Sequence, residues 1–199
     1  MSLPDLILAS TSPFRHQLLE RLEIPFSAQS PDMEETRIEG ESASDMVQRL
    51  ALEKARTVAE QQSPGLIIGS DQCAVLGSTI LGKPGNEEQA FQQLRASSGQ
   101  TVVFHTGLCL LNADTGHYQL DNVLYQVRFR TLSDQQIRHY LQREQPFNCA
   151  GSFKSEALGI TLFEAMEGED PTALIGLPLI RLTSMLAEEG VILPLSPQD

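Results

Sequence analysis

Residues 6–17 read LILASTSPFRHQ. Leu6, Ile7, Leu8 and Ala9 form a short apolar run that reads as a strand. Three hydroxyl residues and a proline follow it at once. Ser12-Pro13 reads as the N-cap and first residue of a helix running to about Glu23. A hydroxyl at the cap accepts backbone N–H bonds, and proline lacks a donor that would be orphaned there anyway. Leu18, Leu19 and Leu22 supply the apolar face. The start of such a helix offers free N–H groups and the positive end of the peptide dipoles, a setting suited to an anion. Arg15, one turn in, adds a donor fork of the kind that grips phosphate. Taken alone, the stretch equally fits a plain capped helix with a solvated arginine.

Working outward, strands and helices interleave along the whole chain. Met46, Val47, Leu50, Ala51, Ala55 and Val58 recur at helical spacing over about residues 43–62, and Pro64-Gly65 is expected to end that helix. LIIGSDQCAVL, residues 66–76, is a continuous apolar strand interrupted by one acid, Asp71. NEEQAFQQLRASSG is a short helix with Gly99 near its stop. Residues 101–113 and 118–132 read as a long antiparallel pair joined around DTGH. Ser133 opens another helix, with Gln136 at the capping-box position. A last helix runs from about Leu177 to Glu188, stopped by Gly190. The fold class expected is α/β, in one domain over residues 1–199, with a second lobe compatible with the pattern.

Composition narrows the function. The chain has 199 residues, 41% of them hydrophobic, and a formal net charge of −12. That is enough chain for one real core. The negative field repels nucleic-acid backbones and acidic membrane surfaces, so neither polymer nor membrane is expected as a partner. No apolar run approaches the roughly 18–20 residues that span a bilayer. The N-terminus carries an acid and no basic region, so no signal peptide is expected. Cys73, Cys109 and Cys149 are odd in number and lack a CxxC pair, which suits reduced thiols in the cytoplasm, with a catalytic thiol or zinc as lesser alternatives.

Several residues stand out chemically. Strands avoid aspartate, and a carboxylate in an apolar strand is costly unless paired or metal-bound, which marks Asp71; a turn at the strand end is the plainer reading. DMEET, residues 32–36, offers oxygen ligands suited to magnesium or manganese, or is a solvated loop. Lys54 in ALEKA and Lys83 in LGKPG lie beside acid, glycine or proline; isolated surface lysines are the alternative. CAGSFKSEALG, residues 149–159, is a small-residue loop presenting Lys154 and Glu156; small residues let a ligand approach the backbone, and they equally suit a plain turn.

Taken in order, LILASTSPFR, EET, EKA, IIGSDQ, GKP, CAGSFKSE and GLPL resemble the Maf nucleotide pyrophosphatases, from about Leu6 to Leu186. The resemblance implies an α/β fold similar to the inosine triphosphate pyrophosphatases: an elongated mixed sheet with flanking helices and a cleft between two lobes. It implies hydrolysis of a nucleoside triphosphate to the monophosphate and diphosphate with a divalent metal. Carried over by position, Asp71 matches the catalytic aspartate and shares the metal with Glu35. Ser10 and Arg15 match the signature serine and arginine, and Lys54 and Lys83 the phosphate-side lysines. Phe14, Gln72 and Glu156 resemble the branch acting on 7-methyl-GTP, which usually carries tryptophan where Phe14 stands. His16 likewise follows where arginine often stands. The expected partner is a small nucleotide, with a homodimer left open. Broader pyrimidine specificity, or a nucleotide-binding regulator of cell division with little catalysis, are the competing readings.

The base preference also has a direct chemical reading. Guanine presents N1–H and N2–H₂ on one edge, and a carboxylate such as Glu156 accepts both. It would repel the acceptor-rich edge of uracil. Methylation at N7 makes the base cationic, and Phe14 offers it an aromatic face.

Overall fold

The structure is a computed structural model that describes residues 3–61 and 65–196. Strand β1 (Leu6–Ala9) leads into helix α1 (Pro13–Glu20), and the Ser12 hydroxyl caps it by accepting from the Arg15 N–H at 3.4 Å. The helix stops earlier than the apolar pattern suggests. Glu23 takes a left-handed φ of 53°, and Pro25 cannot continue a helical hydrogen-bond ladder. Strand β2 (Ser27–Gln29) follows, then an irregular segment, then α2 (Ala43–Ala59). The expected terminator Pro64, with Gln62, lies outside the described residues. Strands β3 (Leu66–Leu76) and β4 (Thr79–Leu81) form a hairpin that leads into α3 (Glu87–Ser97). The long pair is β5 (Thr101–Asn112) and β6 (Tyr118–Phe129). Helix α4 (Asp134–Glu144) opens with the expected capping box between Ser133 and Gln136. Strand β7 (Phe163–Glu167) and helix α5 (Leu179–Glu188) complete the chain. The last helix starts at Leu179 rather than Leu177, because Gly176 (φ 119°) ends the turn before it and Pro178, with extended backbone, is the N-cap.

Six strands run in the order β2-β1-β3-β5-β6-β7, with β4 added to β3, giving one seven-stranded sheet. Pairing is parallel between β1 and its two neighbours and antiparallel elsewhere. The fold is thus mixed α/β, as expected from the interleaved pattern.

One feature of the register makes the cleft. Strand β5 covers one edge of β3 along its whole length. On the other edge, β1 pairs only with residues 66–68 and β4 only with residues 74–76. Residues 69–73 therefore have no strand beside them on that edge, among the described residues. Asp71 stands in the middle of this gap.

The core is divided to match. Helices α1 and α5 bury Leu18, Leu19, Leu182, Met185 and Leu186 against Leu8, Ile68, Leu108 and Leu110. Helices α3 and α4 bury Phe91, Leu94, Ile137 and Leu141 against Phe104, Val127, Phe129 and Phe163 on the far side of the gap. Two apolar centres thus flank one interruption in the sheet. The opposite sheet face carries α2, through Val47, Leu50, Ala51, Ala55 and Val58. Here the approach is unusually close. A Cβ on Gly69 would lie 2.0 Å from the Ala51 carbonyl oxygen, and one on Gly107 would lie 2.1 Å from that of Val47. Gly107 pairs directly with Asp71. The two glycines let α2 rest on the sheet backbone beside the aspartate.

Candidate active site

The gap in β3 opens into a cleft of about 690 Å³. Its near wall is the α1 junction with Ser10, Phe14 and Arg15. Its far wall includes the β4 end with Lys83 and the loop carrying Glu156. Its floor holds Lys54, Asp71 and Gln72, and Glu35 reaches it from the segment before α2. The nine residues that the family resemblance assigns to the site all line this one space.

At the floor, Lys54 lies between two carboxylates. Its Nζ donates to Asp71 Oδ1 at 2.7 Å and contacts Glu35 Oε1 at 2.7 Å. The Lys54 side chain is 4% exposed, Asp71 9% and Glu35 50%, so two of the three charges are nearly dry. Buried charges persist when paired, and this triad is paired throughout. Burial pushes the Glu35 carboxyl up. The hydrogen bond and charge of Lys54, with help from Lys83 and Arg15, more than reverse this and hold it below its ordinary value. Burial pulls the Arg15 guanidinium down from its usual value, against the opposing pull of Asp71 and Glu35. Arg15 therefore belongs electrostatically to the same cluster.

Helix α1 fixes Arg15 by more than its own backbone. Its Nε donates to the Gly176 carbonyl at 2.8 Å, and Nη1 contacts Ser10 Oγ at 3.4 Å. The Ser10 hydroxyl also accepts from the Ser12 N–H at 3.1 Å. The first strand–helix junction thus presents a serine, an arginine and the N-terminus of a helix to the cleft.

Residues 173–176 form a strap across the sheet, and several polar side chains of the sheet hold it. Gln72 Nε2 lies 2.7 Å from the Ala173 carbonyl and 3.1 Å from that of Leu174. Thr106 Oγ1 donates to the Ala173 carbonyl at 2.9 Å, and Ser70 Oγ lies 3.0 Å from that of Gly176. Gln72 reaches the cleft, but its amide nitrogen is committed to the strap. Asp170 anchors the strap's other side. It is 2% exposed and accepts from Thr172, from the Ile180 N–H at 2.7 Å and from the Arg181 N–H at 3.4 Å, which caps α5. Ser70, Thr106 and Asp170 escape the sequence reading. Asp170 sits in EGEDPT, where it resembles any acidic loop; its one signal is Asp-Pro-Thr ahead of an apolar helix.

Of the two residues named on the 149–159 loop, Lys154 turns away from the cleft: its Nζ donates to the Glu144 side chain and carbonyl, each at 3.1 Å. The last carbonyls of α4 attract a cation. Glu156 is exposed at the cleft, where the Ser155 hydroxyl donates to it at 3.2 Å. The thiols offer no nucleophile. Burial pushes Cys73 and Cys109 up to about 12, and Cys149 also up, and all three are free.

No group of three or more His, Cys, Asp or Glu side chains converges among the described residues, so there is no closed protein cage for zinc. Glu35 and Asp71 form a different donor set. Two oxygen-bearing side chains already meet at one cation, and magnesium is typically held by one or two carboxylates, waters and substrate phosphates. The residues fit that mode of binding.

A family profile described as Maf-like protein matches residues 5–189. The chain belongs to the Maf family. Among curated relatives, a protein of Alcanivorax borkumensis named 7-methyl-GTP pyrophosphatase is 58% identical over 192 residues, 96% of this chain and 98% of that one. A protein of Nitrosococcus oceani with the same name is 55% identical, over 94% of each chain. One of Pseudomonas aeruginosa, again so named, is 53% identical over 96% of this chain and 100% of its own. The solved Ham1 protein of Staphylococcus aureus overlays with a TM-score of 0.46 at 12% identity, over 64% of this chain and 72% of that one. The assignment of this Maf chain rests on the sequence matches.

Proposed function

We propose that this protein is a nucleoside triphosphate diphosphatase that hydrolyses 7-methyl-GTP to 7-methyl-GMP and diphosphate. The observation that carries the reading is the meeting, in one cleft, of the Asp71–Lys54–Glu35 cluster with Arg15 and Lys83 on one hand and Phe14 and Glu156 on the other. The first set suits a triphosphate and the second a cationic guanine. The names carried by the relatives support the same substrate.

The roles follow from chemistry. Lys54 occupies one oxygen of Asp71, and the carboxylate takes the proton of a water that attacks the α-phosphorus. The bond to the bridging oxygen breaks and diphosphate leaves. Arg15, Lys54 and Lys83 offset the charge that builds on the transferred and leaving groups, where most stabilisation of phosphoryl transfer lies. A magnesium or manganese ion held by Glu35 and Asp71 would supply further positive charge to the phosphate oxygens. Glu156 accepts from guanine N1–H and N2–H₂, and Phe14 stacks on the N7-methylated ring through a cation–π contact. Removal of modified nucleotides from the cytoplasmic pool is the purpose this chemistry serves. No helix among the described residues is long and apolar enough to cross a membrane.

The test is diphosphate release from 7-methyl-GTP, GTP, dTTP, UTP, CTP and ITP with magnesium or manganese. Highest kcat/KM for 7-methyl-GTP is expected. Equal or better use of pyrimidine nucleotides would overturn the base assignment. No release from any of the six would leave a nucleotide-binding regulator.

A further inference from the structure

The segment of residues 30–42 carries Glu35 to the floor of the cleft, yet it has no helix or strand of its own. Its only backbone–backbone hydrogen bond within those residues, Glu41 N–H to the Ile38 carbonyl, is 3.2 Å long and local. Glu35 is half exposed and pairs with Lys54. Something must hold the loop against the helix for that contact to persist, because ordering a free backbone costs conformational entropy at every residue.

We infer that Arg49 of α2 is the positioning residue for Glu35. Its guanidinium grips the loop at two points. Nε and Nη2 donate to the two oxygens of Glu41, at 2.6 and 2.7 Å, in a bidentate pair. Nη2 also donates to the carbonyl of Thr36, the residue after Glu35, at 3.1 Å. Glu53, one turn further along α2, holds Nη1 at 3.1 Å and fixes the fork from the helix side. The Arg49 and Glu41 side chains are only 23% and 9% exposed, so water weakens this pair less than a surface one. The planar fork pairs with both oxygens of one carboxylate in parallel while still reaching the Thr36 carbonyl, a fixed geometry that a point-like ammonium does not reproduce. Arg49 and Lys54 lie on the same helix, five positions apart. One rigid element therefore carries both the clamp and the cation that Glu35 meets. Met33 adds an apolar anchor at the other end, packed on Met46, Val47 and Leu50.

The inference rests on Glu35 acting in turnover, as proposed above, and the experiment separates the two. Arg49→Met, Arg49→Lys and Glu41→Gln are made in the wild-type and Glu35→Gln backgrounds. Diphosphate release and amide hydrogen exchange are then measured. Arg49→Met should lower kcat by about 10–100-fold with a smaller change in nucleotide KM, the scale expected of an ångström-level displacement. Arg49→Lys and Glu41→Gln, which leave the rest of α2 untouched, should fall between. In the Glu35→Gln background the added loss from Arg49→Met should nearly vanish, because the two act as one unit. Amides of residues 34–41 should exchange faster in Arg49→Met and Glu41→Gln while those of α2 keep their protection. Wild-type turnover in Glu35→Gln would sink the reading of Glu35 and this inference with it. A real loss in Glu35→Gln, with Arg49→Met costing as much again on top or with loop exchange unchanged, would overturn the Arg49 inference alone.

Discussion

At the scale of single residues, charge placement carries the chemistry. Asp71→Asn keeps the shape and one acceptor oxygen for Lys54 but cannot take a proton as a carboxylate does. It should fold and bind nucleotide, and lose at least about two orders of magnitude in turnover. Near-wild-type turnover would remove Asp71 from the mechanism. The base reading proposed above would rest on different side chains. Glu156→Gln replaces two acceptors by one acceptor and one donor, so one guanine contact becomes a clash. Preference for 7-methyl-GTP over UTP should fall roughly 10–100-fold. Phe14→Trp should raise that preference severalfold, since indole is the better face for a cation. Unchanged ratios in both variants would mean that neither side chain meets the base. Glu35 makes a prediction in pH. Its carboxyl is held below the ordinary value mainly by Lys54 against the cost of burial. The charged form, and any stability it lends, is therefore present above the unfolded carboxyl's pKa and lost as pH falls through the lower folded value. Carbon-detected NMR titration of Glu35 in metal-free protein should show that low value. Lys54→Met should move it up, and no upward movement would contradict the pairing.

At the scale of elements, the close seat of α2 decides whether these charges meet. Gly107→Ala would press a methyl group into the Val47 backbone at a site where no side chain can give way. Destabilisation of roughly 1–3 kcal/mol is expected, read as a lower denaturant midpoint at unchanged slope. Turnover should drop with it, because α2 carries Lys54 past Asp71. A variant as stable and active as wild type would mean that the helix is not fixed there. Much of this level is legible in the sequence. The caps at Ser12 and Ser133, the long strand at residues 66–76 and the β5–β6 hairpin all carry local signals, and local signals decide helix starts and buried strands. Strands β2 and β4, three residues each, exist only because a neighbour pairs with them. Among the described residues, strand β7 pairs only with β6, so it too depends on a neighbour. The direction that Lys154 takes is set in the same way, since its partner Glu144 lies on another element. Asp71 stood out because an acid in an apolar strand is anomalous. Ser70 and Thr106 did not, because buried hydroxyls on strands are ordinary until their partners on the strap are known.

At the scale of the whole molecule, a single interruption in strand pairing organises everything else. The two ends of β3 belong to different packing centres, and the five residues between them open the space where the charged floor, the capped helix and the Glu156 loop converge. An acidic chain can still hold a polyanion there, because the positive groups are gathered locally and the base proposed for the site is itself cationic. The central claim is that water attacks the α-phosphorus of 7-methyl-GTP in that cleft. Hydrolysis in ¹⁸O-labelled water, followed by mass spectrometry of both products, tests it most directly. The account predicts 7-methyl-GMP carrying one ¹⁸O and unlabelled diphosphate. Label in the diphosphate, release of orthophosphate as the primary product, or no hydrolysis of 7-methyl-GTP would contradict it.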